Sequence, residues 1–119
     1  MSEDSQIVVP EAFVDLFRPP GADRSRRPLE TREVIIARHE FCEDLAQMLS
    51  ETARDRLFAL GITEADVLER IRHGLLEAGS PVSALEAGWV MGRLAEVLGW
   101  ALPDELLDPE LTSSAARAP

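Results

Sequence analysis

Lysine and tyrosine are missing from this chain of 119 residues, and cysteine occurs once, as Cys42. All twelve basic residues are arginine. A G-x-x-x-x-G-K-[ST] phosphate loop is therefore impossible. No H-E-x-x-H, no C-x-x-C and no G-x-G-x-x-G after a strand occurs either. These absences leave little from which to build a nucleotide-hydrolysing or redox enzyme, and no catalytic residue or cofactor is assigned. A lone cysteine excludes a disulfide framework and points to a reducing compartment. No apolar run of about 18 residues exists, so no membrane span is expected. The opening Ser2-Glu-Asp-Ser-Gln6 is acidic and polar, unlike a secretory signal. A cytoplasmic location is the expectation. Strands are scarce too: Ile7-Val8-Val9 and Val34-Ile35-Ile36 are short, isolated and do not alternate.

Charge of one sign is plentiful. Twenty-two acidic residues against twelve arginines give a net charge of −10, spread along the chain. Such a protein is repelled by phosphate backbones, which disfavours direct nucleic-acid binding. A protein partner with a basic surface, or imitation of nucleic acid in a basic groove, is permitted. The simplest consequence is solubility. The rest of the composition, 45% hydrophobic and 29% charged, is that of an ordinary globular chain.

The length predicts one all-α domain, a small helical bundle of three main helices with a short helix before it. Residues 1–28 read as that short helix and a basic, proline-rich linker. Pro10 suits a first helical position, and Phe13, Leu16 and Phe17 share a side. This helix is expected to dock on its own core, with exchange onto a second copy or a partner groove as alternatives. Residues 29–102 form the bundle, and residues 103–119 an acidic, largely disordered tail.

The first main helix is predicted over residues 29–60, closed by Gly61 in the left-handed conformation. Phe41, Leu45, Met48, Leu49, Ala53, Leu57 and Leu60 are its expected inner side. Arg38 and Arg56 fall within that stripe, either laying their stems on the core or pairing with a carboxylate. Glu40, Glu43, Asp44, Gln47, Glu51 and Asp55 occupy the other side. Like charges four apart, as in Glu40 with Asp44 and Glu51 with Asp55, each cost roughly 0.2–0.5 kcal/mol. An acidic face built against helix preference is either a docking surface or simply solvated. The second main helix starts at a capping box, Thr63 with Asp66, and runs to about residues 78–79.

The third runs from the capping box of Ser83 and Glu86 towards Trp100. Gly88, Gly92, Ala95 and Gly99 fall on one strip. Glycine within a helix costs roughly 1 kcal/mol against alanine. Their alignment predicts the close approach of another backbone, inside the bundle or across the two-fold axis of a homodimer. Gly92→Leu is then expected to disrupt the fold or the dimer. A second strip carries Trp89, Arg93, Glu96 and Trp100, residue types that concentrate binding energy at interfaces. It is expected either to meet a partner or to be covered internally.

His39, Cys42 and Glu43 lie at i, i+3 and i+4, a spacing able to offer imidazole, thiolate and carboxylate from one turn. They are weak candidates for a metal or thiol site, since a structural zinc site needs a fourth donor and acidic neighbours raise a thiol pKa.

His39-Glu-Phe-Cys-Glu-Asp-Leu-Ala-Gln-Met-Leu49, Leu60-Gly-Ile-Thr-Glu-Ala-Asp-Val67 and Ala87-Gly-Trp89 resemble a family of short uncharacterised bacterial helical proteins, some labelled ATPases with chaperone activity. The resemblance spans about residues 7–102. It implies a bacterial cytoplasmic protein and at most association with such a machine; it brings no site residue. The residues themselves favour a non-enzymatic interaction module, an adaptor or regulatory subunit. It would use the acidic helix face or the Trp/Arg strip. An acidic inhibitor imitating nucleic acid and a metal or thiol protein are the alternatives.

Overall fold

The computed structural model describes residues 8–106. The fold is all-α. Among the described residues there are four helices, α1 (Glu11–Val14), α2 (Arg32–Leu60), α3 (Glu64–Leu76) and α4 (Ala84–Leu98), and no strand. Single 3₁₀ turns, Asp15–Phe17 and Asp104–Leu106, follow α1 and α4. Residues 1–7 and most of the expected acidic tail lie outside the described residues. Two compact units divide the chain, residues 1–41 and 42–119, and the division falls within α2.

In the first unit, Phe13 is fully buried. Its ring lies 5.1 Å from the His39 imidazole, edge-on, and 5.5 Å from Phe17. The short helix therefore docks on its own chain, as its apolar side predicts. The segment after it is an ion-paired loop. Arg18 reaches Glu11 at 2.9 Å and Asp15 at 2.5 Å, and Arg24 reaches Asp15 at 2.8 Å. The Arg24 hydrogen bond is the main cause holding the Asp15 carboxyl below its usual pKa. The Leu29 N–H donates back to the Phe17 carbonyl. That bond keeps Leu29 in the loop, so α2 starts three residues later than the apolar pattern suggests. Thr31 caps it: its hydroxyl accepts the Val34 N–H at 3.2 Å.

The second unit holds the bundle. Thr63 caps α3 by accepting the Asp66 N–H. The α3 helix stops at Leu76, short of the predicted end, where the Glu77 N–H turns to the Gly74 carbonyl. Gly79, at φ +86°, belongs to the following turn. The capping box of Ser83 and Glu86 is complete, with both reciprocal hydrogen bonds formed. Val67, Leu68, Ile71 and Leu75 on α3 and Ala87, Val90, Met91 and Leu94 on α4 are buried. Both sets repeat at three- and four-residue spacing, the signature of a packed helical side.

Two expectations need correction. On α2 the buried residues of this unit are Cys42, Ala46, Ser50 and Ala53, a seam of small side chains at i, i+4, i+8 and i+11. Phe41, Met48 and Leu60 are exposed, and Leu45, Leu49 and Leu57 are only half-buried. The inner side is thus rotated from the one that the large apolar residues suggest. Arg38 lays its guanidinium 4.9 Å from the Phe41 ring centre, while Arg56 is exposed.

The second concerns the glycine strip. Gly99 is not part of a helical strip at all: it is the left-handed stop of α4, at φ +73°. A Cβ added at Gly92 would meet nothing within 4 Å. Among the described residues no backbone of another element lies against Gly92, and close approach does not explain it. Gly92→Ala is therefore expected to stabilise the protein by up to about 1 kcal/mol, the helix-propensity difference. Urea denaturation of the variant checks this; a loss of stability would show the position to be crowded.

Candidate protein-docking face

Two groups of side chains stand out as candidates, and the structure treats them differently. The first is the Trp/Arg strip of α4. The Trp89 indole N–H donates to Glu43 Oε2 at 3.1 Å. Arg93 Nε donates to both Glu43 oxygens, at 2.9 and 3.0 Å. Arg93 Nη1 also pairs with Glu96, one turn on. The Arg93 pKa is raised, first by the Glu96 hydrogen bond and then by that of Glu43. Trp89 and Trp100 are both half-buried. Trp89 and Arg93 clasp α4 to α2 within the bundle.

Glu43 therefore does not belong with the outward acidic residues. Stepping 100° per residue places it some 60° from Glu40 and about 100° from Asp44, enough to turn it from solvent towards α4. Its carboxylate is 26% exposed and accepts from both Trp89 and Arg93. Glu43→Ala is expected to cost about 1–3 kcal/mol, since it removes the acceptor of the Trp89 indole N–H and one of the two carboxylates that Arg93 pairs with. Glu43→Gln, which keeps an acceptor for Trp89, should lose less. Chemical denaturation followed by tryptophan fluorescence distinguishes the two.

Nor are the three weak metal candidates gathered into a site. His39 is packed against Phe13, Cys42 is fully buried, and Glu43 serves the clasp. Among the described residues no group of three or more His, Cys, Asp or Glu is arranged to hold a metal ion. His73 is exposed on α3, with Nδ1 3.5 Å from Glu77.

The second group is the outer strip of α2. Glu40, Asp44, Glu51 and Asp55 are all exposed and form no ion pair with a described residue. With Gln47 they occupy one stripe, spaced four, three, four and four residues apart. The next place on that stripe, three residues on, is Phe58, which is 92% exposed. Arg54, also exposed, borders it. Composition and motif reasoning pass over Phe58. The available signal is its register: it falls on the carboxylate stripe and not on either apolar flank. An exposed phenylalanine at the end of a row of exposed carboxylates offers one apolar anchor beside a field of negative charge.

No family model matches the chain, and no curated protein or solved structure matches it either. Among the described residues no helix is long and apolar enough to cross a membrane.

Proposed function

We propose that the protein is a non-enzymatic interaction module, an adaptor or regulatory subunit of the cytoplasm. It binds a protein partner with a basic surface through the outer strip of α2. The observation that supports this reading is the exposed Phe58 continuing a stripe of exposed carboxylates. Burying an aromatic ring contributes most of the energy at such contacts, and surrounding charge sets orientation and association rate. Glu40, Asp44, Glu51 and Asp55 supply the charge and Phe58 the anchor. Trp89 and Arg93 act behind this face, holding α2 to α4 through Glu43. The open position at Gly92 allows a second copy of the chain as an alternative partner, read by the mass in solution of Gly92→Leu.

The test compares proteins retained from the native host by the wild type, by Phe58→Ala, and by Asp44→Lys with Glu51→Lys and Asp55→Lys. Glu69→Lys on α3 is the control for charge alone. The expected result is a partner lost with both α2 variants, kept by the control, and released at raised salt. Identical retention by all four proteins removes the reading.

A further inference from the structure

In the first unit, a half-open cavity of about 410 Å³ lies between the chain entering α1 and the start of α2. Its apolar wall is Val9, Val14, Pro28, Ile35 and Ile36. Ile35 is itself buried, so part of this wall is fixed by packing. Four charged residues also line it: Glu11, Arg27, Glu30 and Arg32. Their states differ. The Glu11 carboxylate is held by Arg18 at 2.9 Å. Arg27 and Arg32 form no ion pair with a described residue. In a chain with 22 acids and twelve arginines, carboxylates are in excess. Two arginines on the wall of one cavity, neither ion-paired with a described residue, are the unexpected feature.

We propose that this cavity binds a small aliphatic monocarboxylate, its carboxylate between Arg27 and Arg32 and its hydrocarbon on the valine, proline and isoleucine wall. The planar guanidinium fork matches a carboxylate in two parallel hydrogen bonds. The volume is within the range of small-molecule sites, which join an apolar lining to a few polar groups. Glu30 decides the charge of the ligand. It lines the same cavity and its negative charge repels a second one, so a monoanion is favoured over a phosphate dianion. The site is independent of the α2 strip, and the docking reading stands or falls without it.

The experiment is a titration of the full chain with sodium octanoate, followed by amide NMR shifts. Acetate, octan-1-ol, octylamine and octyl phosphate are the comparison probes. Saturable shifts at residues around the cavity are expected with octanoate, and much weaker binding with the other four. Arg27→Gln and Arg32→Gln should each weaken octanoate about three- to tenfold, between an exposed ion pair and a charge-assisted hydrogen bond. Glu30→Gln should tighten it. These three positions are exposed, so folding is expected to survive and is checked by circular dichroism. The proposal is overturned by absent saturation, by equal binding of acetate or octanol, by tighter binding of octyl phosphate or octylamine, or by arginine variants that bind octanoate like the wild type.

Discussion

Phe13→Ala is expected to lower stability by about 3–5 kcal/mol, the usual cost of emptying a buried aromatic site. Phe13 is fully buried although it sits in a helix of only four residues. A helix that short has no stability of its own in water. It is held because one ring inserts against Phe17 and edge-on against His39. Aromatic pairs of this kind add roughly 0.5–1.5 kcal/mol each beyond area burial. Two readouts check the expectation. The melting transition should fall or split, and the His39 imidazole resonances should move as the ring current is lost. Unchanged His39 resonances would mean that α1 is not docked in solution.

Leu94→Ala is expected to cost about 2–5 kcal/mol. Leu94 is fully buried on the inner side of α4, in line with Ala87, Val90 and Met91. Its removal leaves a cavity that a bundle this small closes only in part. Total stability of small domains is about 5–15 kcal/mol, so the variant should melt well below the wild type. The paired control is Leu85→Ala on the outward side of the same helix. Leu85 is 56% exposed, and its truncation should shift stability by no more than about 0.5 kcal/mol. Similar losses for both would show that α4 does not present the inner side described.

Together the two variants address the units separately: His39 and Phe13 lie in residues 1–41, Leu94 in residues 42–119. Loss of the first unit's signals with retention of the second is the expected result for Phe13→Ala if the two unfold independently.

Much of the helical framework is legible from the residues because its signals are local. Thr63 with Asp66 and Ser83 with Glu86 satisfy free N–H groups within one turn, so their effect does not depend on the rest of the fold. Gly61 and Gly99 are left-handed stops for the same reason, since only local backbone geometry is involved. Wheel position groups Gly99 with Gly88 and Gly92, because it does not tell a helical glycine from a terminating one.

The α2 face could not be chosen this way. The helix carries large apolar residues on one flank and small ones on another, so composition alone favours the wrong seam. Packing selected Cys42, Ala46, Ser50 and Ala53. The site divides along the same line. The stripe of Glu40, Asp44, Glu51 and Asp55 is readable from spacing, and its carboxylates are exposed. Spacing groups Glu43 with them, but its hydrogen bonds to Trp89 and Arg93, 46 and 50 residues away, turn it towards α4.

By itself the sequence determined that this protein is all-α, where its two best-capped helices begin, and that its surface is acidic. Each of these follows from neighbours within a turn or from composition. Only the tertiary structure decided which flank of α2 is buried, that Trp89 and Arg93 are tied to Glu43, that Phe58 stands in solvent, and that Gly92 has open space beside it. Those outcomes depend on how distant helices are rotated against one another, and a helical stripe fixes the rotation only when one flank is clearly the more apolar.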